Sequence, residues 1–311
     1  MSVDRIALGL AALGRPAYIN LGRDGALPPV RDVDSMRAAT FAVLDDAYAA
    51  GVRHVDVARS YGRSEEFLAG WLAERGHAGV EISSKWGYAY VGEWRLDAGV
   101  HEVKEHSAIR FATQWAETLA LLGDRVGLYQ VHSLTVDSPL FTDEPLLEAL
   151  AELAANGVAV GFSTSGPAQA DAIERAFALE VAGRPVFSAV QSTWNVLEPS
   201  AGPALAAAHA AGNRVLVKET LANGRLAVEA PAAVRELAAA HGTGPDAVAV
   251  AAVLANDWVD RAVIGPASPA QLAANLRAAR LDLTAEERES LAAPAEDPGA
   301  YWRHRSSLEW D

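Results

Sequence analysis

Residues 51–76 read GVRHVDVARSYGRSEEFLAGWLAERG, and this stretch carries the logic of the whole fold. His54–Val57 is a short apolar run of strand character, ARSYGR is a polar turn, and Ser64–Arg75 spaces its apolar residues for a helix. Ser64 stands where an N-cap belongs. Glu65 and Glu66 fall in the first helical turn, where carboxylates suit the dipole. Strand, loop and helix in that order make one βα unit.

The same kind of unit recurs on both sides of this stretch, without any exact repeat. Strands are predicted at Arg5–Leu8, His54–Val57, Val80–Ser84, Val126–His132, Ala159–Ser163, Ala189–Gln191, Arg214–Lys218 and Ala262–Ile264. Several are continuously apolar, as parallel strands covered on both faces should be. Helices are predicted between them at Ser35–Ala50, Ser64–Arg75, Ser107–Leu122, Glu144–Ala155, Pro167–Ala178, Ser200–Ala211, Pro231–Ala240 and Pro269–Arg277, with an extra one at Pro245–Ala255. Ser200 reads as an N-cap, and Pro167, Pro231 and Pro269 as first-turn residues. Gly51, Gly123, Gly157 and Gly212 follow helix ends. Asp297-Pro298 and Pro294 read as the exit from the last helix. Eight βα units in alternation predict a single-domain α/β fold over residues 1–311, a closed (β/α)₈ TIM barrel. An open doubly wound sheet usually shows G-x-G-x-x-G after its first strand, and residues 9–14 read GLAALG instead.

Half of the 311 residues are apolar, enough for one large core. No run approaches the ~18 consecutive apolar residues of a membrane span. The longest, Val248–Ala255, suits a buried helix. The opening MSVDRIALGL shows neither a basic segment nor an apolar one of the secretory kind, and there are no cysteines, so a cytoplasmic protein is expected. A net charge of −14 argues against a grip on nucleic acid. Among 26 basic residues only Lys85, Lys104 and Lys218 are lysines, and Lys85 and Lys218 each end an apolar strand. The histidines show no H-E-x-x-H spacing, so no metal site is expected.

In such a barrel, catalytic groups come from the C-terminal ends of different strands. Those ends supply Asp56 in HVDVARSYG, Lys85 in ISSKWG and His132 in LYQVHS, with Tyr61 in the loop after Asp56. The segments GVRHVDVARSYGRSEEFLAGWL, EISSKWG, LYQVHS, GFSTSG, AVQSTWNVLE and VIGPASPAQLAANL, in this order from Leu8 to Asn275, resemble the aldo-keto reductase family. The resemblance implies that Asp56, Tyr61, Lys85 and His132 are an intact catalytic tetrad. A tyrosine of ordinary pKa, about 10, is too weak an acid to protonate an alkoxide efficiently at neutral pH. On this reading Lys85 stabilises the tyrosinate, Asp56 holds Lys85, and His132 orients the carbonyl oxygen. A nicotinamide cofactor exchanges hydride with the carbonyl carbon.

The resemblance places the cofactor on Ser163, Thr164, Gln191, Lys218, Leu221, Arg225, Ser268, Gln271 and Asn275. It departs from the family pattern in three ways. Thr164 stands where many members have Asn. Lys218 replaces an aromatic residue that stacks on the nicotinamide, and Gly265 and Gln271 replace the Lys and Arg that grip a 2′-phosphate. NADP(H) is therefore favoured with NAD(H) as the alternative, the preference resting on family habit. The helix opening at Pro269 still offers its N-terminus to a phosphate.

The long connection 86–106 and the tail 294–311 are expected to wall the pocket, with Trp86 and Trp302 facing an apolar or aromatic substrate. The expected activity is interconversion of an aldehyde or ketone with its alcohol. The expected partner is that small molecule, with no nucleic acid and no membrane; the oligomeric state is not legible. A redox-sensing regulatory subunit on the same fold is the alternative. A lyase forming a Schiff base on Lys85 is a third reading, but it leaves Tyr61 and Asp56 unexplained.

Overall fold

The computed structural model describes residues 2–23 and 25–310. Its eight parallel barrel strands are β1 (Ile6–Gly9), β2 (His54–Asp56), β3 (Glu81–Trp86), β4 (Val126–Leu134), β5 (Ala159–Thr164), β6 (Ala189–Thr193), β7 (Arg214–Lys218) and β8 (Arg261–Ile264). Each pairs with its sequence neighbours, and β8 closes on β1 with Ala262 opposite Ile6. The closed barrel expected from the alternating pattern is the fold observed.

The helices are α1 (Val33–Ala49), α2 (Ser64–Arg75), α3 (Ala108–Leu122), α4 (Glu144–Ala155), α5 (Gln169–Phe177), α6 (Gly202–Ala210), α7 (Arg225–Val228), α8 (Ala232–Ala240), α9 (Pro245–Leu254), α10 (Pro269–Leu276), α11 (Ala285–Ser290) and α12 (Pro298–Ser307). Side chains on a strand alternate between faces, so each strand feeds two cores. Ala7, Leu128, Ala189, Leu216 and Val263 fill the barrel interior. Ile6, Leu8, Val55, Val190, Val215 and Val217 belong to the larger layer between strands and helices. Burying a Val, Leu or Ile side chain contributes about 1.5–3 kcal/mol, so this doubled layer dominates the stability. In α9 every residue from Ala247 to Leu254 is buried, which explains its nearly unbroken apolar sequence. Among the described residues no single helix is long and apolar enough to cross a membrane.

Several local expectations are corrected. Arg63 occupies the N-cap of α2, while the Ser64 hydroxyl donates to the Ala58 carbonyl at 3.2 Å and shapes the preceding turn. Ala201 is the N-cap of α6, because Ser200 turns to Glu198 instead. Pro167 lies before α5, and Pro231 is itself the N-cap of α8. Asp297 does more than mark an exit: its carboxylate accepts from Ala300 N at 2.9 Å and starts α12, so the tail is helical. The connection 86–106 is likewise ordered. It folds into a two-stranded ribbon, Tyr88–Tyr90 against Glu102–Lys104.

Candidate active site

The site begins with a contact between two loops. Gly14, after β1, and Gly62, after β2, pack backbone to backbone, and Arg63 N donates to the Gly14 carbonyl at 2.7 Å. A Cβ on Gly14 would lie 2.3 Å from the Tyr61 carbonyl oxygen, and one on Gly62 would lie 2.5 Å from the Gly14 carbonyl oxygen. Gly62 also has φ +58°, a region open to glycine at little cost. The two glycines thereby seat Tyr61 beside the β1–α1 loop.

Strand parity does the rest. Asp56 lies opposite Ser83, Lys85 opposite Gln130, Ser163 opposite Gln191, and Thr193 opposite Lys218, so these side chains share the inward face. Asp56 accepts from Ser83 Oγ at 2.6 Å, Gln191 Nε2 at 3.0 Å and the Lys85 ammonium. Lys85 is fully buried and also donates to the Val57 carbonyl at 3.2 Å. A buried ammonium needs such partners, since an unpaired one would shed its proton. Lys85 Nζ lies 4.9 Å from the centre of the Tyr61 ring.

Tyr61 lies edge-on to His132, with ring centres 5.4 Å apart. Burial, and then the charge of Asp56, push the Tyr61 phenol well above its ordinary pKa. Burial, followed by Lys85, keeps the His132 imidazole neutral well below its ordinary range. His132 Nδ1 is 3.2 Å from Ser60 Oγ. When Ser60 donates there, the neutral ring carries its proton on Nε2 and can donate it to a carbonyl oxygen.

Asp56, Tyr61 and His132 line a cleft together with Gln191, Lys218 and Leu221, and its further walls come from residues that have no distinguishing local pattern. Arg15 and Tyr18 come from the β1–α1 loop, Glu102 from the ribbon, Glu219 from beyond β7, and Arg305 and Trp310 from the tail. Arg305 donates to Glu219 at 2.8 and 2.6 Å, which fastens α12 over the barrel mouth. The Trp310 ring stacks on His101 of the ribbon, with centres 4.8 Å apart and planes within 3°. Burial raises the Glu219 carboxyl, but Arg305 and Lys218 outweigh it and hold it down at about 2. Ser133, Glu219 and Asn223, all on the cleft wall, have positive φ of 54°, 54° and 56°. Such backbone strain concentrates where a site must be shaped.

The expected cofactor and substrate residues divide. Gln191, Lys218 and Leu221 line the cleft. Lys218 donates to Thr193 Oγ1 at 2.9 Å, and burial draws its pKa down to about 8. Ser163 is fully buried on the inward face of β5, does not itself line the cleft, and accepts from Ser133 N at 2.8 Å. Thr164 follows an inward residue and therefore turns outward, to Ser192 Oγ at 2.7 Å. It does not line the cleft. The same parity corrects Trp86, which follows Lys85 and lies fully buried against Phe111, ring centres 5.2 Å apart. Trp302 packs beside Arg305 and Tyr301 behind the wall; Trp310 takes the place on the cleft expected of it. Arg225 pairs with Glu296 at 2.5 Å, Ser268 caps α10, and Gln271 accepts from Ala267 N at 2.8 Å. Asn275 donates to Asp246 at 2.8 Å. Glu65, read as a dipole partner, is instead buried between Arg59, Ser84 and Thr118 at 2.6, 2.5 and 2.9 Å. Among the described residues no three His, Cys, Asp or Glu side chains gather as metal ligands do.

The sequence matches the family model described as the aldo/keto reductase family over residues 6–295. The chain belongs to the aldo-keto reductase family. Two solved structures are similar in fold. One is a candidate aldo-keto reductase from Pseudomonas aeruginosa, 24% identical, covering 89% of both chains with a TM-score of 0.63. The other is a candidate 2,5-diketo-D-gluconic acid reductase B, 21% identical, covering 95% of this chain and 89% of that one, with a TM-score of 0.65. No curated protein matches the sequence significantly.

Membership makes the chain an oxidoreductase of a family that generally binds nicotinamide cofactors. The cleft of this aldo-keto reductase fits such a group. It runs from Tyr61 and His132 past Lys218, Leu221 and Asn223 to Gly265, at the end of β8. Asn223 Oδ1 on the cleft wall is buried without a hydrogen-bond partner, so this acceptor has capacity for a ligand donor. Nothing lies within 4 Å of a Cβ built on Gly265, which leaves room for a bulky group at that rim.

Proposed function

We propose that this aldo-keto reductase interconverts an aldehyde or ketone with its alcohol, using Tyr61 as general acid and base. The observation that carries this reading is the Asp56–Lys85 pair buried beneath the Tyr61 ring, with His132 beside it. When bound, the nicotinamide supplies or removes the hydride at the carbonyl carbon. Tyr61 gives its phenolic proton to the carbonyl oxygen in reduction and takes it back in oxidation. The cost is large, because burial and Asp56 both oppose a phenolate there. Lys85 meets that cost as a fixed cation against the ring, held by Asp56 and the Val57 carbonyl. Neutral His132 donates to the same oxygen without adding a second positive charge beside Lys85.

Ser163 and Gln191 would hold the carboxamide of the nicotinamide, the hydroxyl donating and Gln191 Oε1 accepting, since Gln191 Nε2 is committed to Asp56. Asn223 would meet the rest of the cofactor. NADP(H) is the proposed working cofactor, with a modest preference over NAD(H), because neither Gly265 nor Gln271 brings charge. A Schiff base on Lys85 is disfavoured by its complete burial and its pairing with Asp56. The protein is proposed to work in the cytoplasm on a small carbonyl or alcohol. Titration with NADPH and NADH, followed by turnover of a panel of aldehydes and ketones, tests the reading. Catalytic turnover supports it. Tight cofactor binding with no turnover of any carbonyl or alcohol contradicts it and favours the regulatory alternative.

A further inference from the structure

We propose that Arg15 is a positioning residue for the proton transfer: a second cation, beside Lys85, that stabilises the Tyr61 phenolate, with Glu102 as its opposing charge. The inference rests on the proton-donor reading of Tyr61. Arg15 follows Gly14, the residue whose missing side chain allows the β1–α1 loop to touch the Tyr61 loop. Its guanidinium is almost wholly buried, 1% exposed, although an arginine at a barrel rim would ordinarily reach water. Nη1 donates to the Ser60 carbonyl, one residue before Tyr61, at 3.0 Å. It also donates to Glu102 Oε2 on the ribbon at 2.9 Å.

The guanidinium carbon lies 5.6 Å from the Tyr61 ring centre, 4.8 Å from that of Tyr18 and 4.4 Å from that of Trp310. Three rings and one carboxylate therefore hold a permanent cation against the proton donor. Nε is buried with no hydrogen-bond partner, a cost that packing alone does not require. A methionine would fill such an aromatic box without that cost. What a guanidinium adds is charge that cannot be lost.

The groups facing Tyr61 sort by sign. Asp56 from β2, Glu102 from the ribbon and Glu219 from beyond β7 oppose a phenolate, as burial does, whereas Arg15 favours it. Lys85 from β3 lies on the ring as a further cation, His132 from β4 stays neutral, and Tyr18 meets the ring edge-on at 6.4 Å. Lys218, on the same cleft wall as Glu219, pairs with that carboxylate at 3.6 Å. Charges this close shift a neighbour's pKa by about 1–3 units. Arg15 and Glu102 should thus pull Tyr61 in opposite directions.

In alcohol oxidation Tyr61 must be deprotonated, so the rate rises with pH through its pKa. The test is the pH profile of kcat/KM for oxidation in Arg15→Met, Arg15→Lys and Glu102→Gln, with Tyr61→Phe as reference. Melting temperature and NADPH affinity report any loss of structure. Removing the cation should move the rising limb of Arg15→Met up by about one pH unit or more. Arg15→Lys should restore much of its position, and Glu102→Gln should move it down. A purely structural role would lower the rate at every pH and leave the limb in place, or move it the same way in Arg15→Met and Glu102→Gln. Either result overturns the proposal. Wild-type turnover in Tyr61→Phe overturns both the proposal and the proton-donor reading; an inactive Tyr61→Phe with an unmoved limb in Arg15→Met removes the proposal alone.

Discussion

Lys85 Nζ stands 4.9 Å from the centre of the Tyr61 ring, and Asp56 fixes it there from the neighbouring strand. On the proposed reading the pair places a cation where a Tyr61 phenolate would form, so Lys85→Met should lower carbonyl reduction by about 10²–10⁴-fold, the span of general acid catalysis. Lys85→Arg should fail to restore it, because a planar guanidinium cannot occupy an ammonium pocket bounded by Asp56 and the Val57 carbonyl. Full activity in Lys85→Arg with an unchanged pH profile would contradict the role.

Glu219 and Arg305 tie the tail to the barrel. The Glu219 carboxyl is held at about 2 in the folded protein against an ordinary value of 4.5. Between those values the unfolded chain binds more protons, so stability rises with pH across this window. The contribution is complete above 4.5 and is lost as pH falls through about 2. Arg305→Gln should flatten that acid limb. It should also destabilise the protein at neutral pH, by less than the loss of an unpaired buried charge, since the Glu219 carboxylate keeps Lys218 at 3.6 Å and the Thr193 hydroxyl at 3.1 Å. Denaturant unfolding of both proteins across the acid range measures the difference.

Trp86 and Trp310 should separate stability from specificity. Trp86→Ala empties a buried site against Phe111 and should cost about 3–5 kcal/mol while leaving KM for carbonyl substrates near wild type. Trp310→Ala removes a ring from the cleft wall and from the His101 stack. It should raise KM with little loss of stability. Parallel unfolding and steady-state measurements check the pair, and a KM effect confined to Trp86→Ala would reverse the assignment.

Cofactor choice should be adjustable at the end of β8. Gly265 lines the cleft, and a Cβ there meets nothing within 4 Å. Gly265→Lys should tighten NADPH by about tenfold, since a charge-assisted contact is worth roughly 1.5–3 kcal/mol. NADH affinity should stay almost unchanged. Gln271→Arg is the less favourable site, because Gln271 already accepts from Ala267 N. Dissociation constants by fluorescence quenching decide the matter; a thousandfold wild-type preference for NADPH would mean that a phosphate ligand lies elsewhere.

Much of this was legible in the sequence because a parallel barrel repeats one local rule. Continuous apolar runs marked the strands, and Arg214–Lys218, Ser64–Arg75 and Glu144–Ala155 match the observed elements residue for residue. Asp56, Lys85 and His132 are legible as rim residues because each lies at or within two residues of the C-terminal end of a strand. Trp86 and Thr164 lie off the cleft because side chains alternate along a strand: each follows an inward side chain and must face outward. The burial of Glu65 and Arg15 was not legible. Each depends on partners brought from other units, Ser84 and Thr118 for one and Glu102 and Trp310 for the other. The tail was read as a pocket wall, but the specific contact between Arg305 and Glu219 spans 86 positions and leaves no local pattern.

The central claim, that Tyr61 carries the proton, is tested most directly by single-turnover oxidation of bound reduced cofactor in wild type and Tyr61→Phe, using the best carbonyl found in the panel. The substitution removes only the phenolic oxygen and keeps the ring against Lys85 and His132. Cofactor affinity should be nearly unchanged while the hydride-transfer rate falls by about 10²–10⁴-fold. A Tyr61→Phe protein that binds cofactor normally and oxidises it at the wild-type rate would contradict the account.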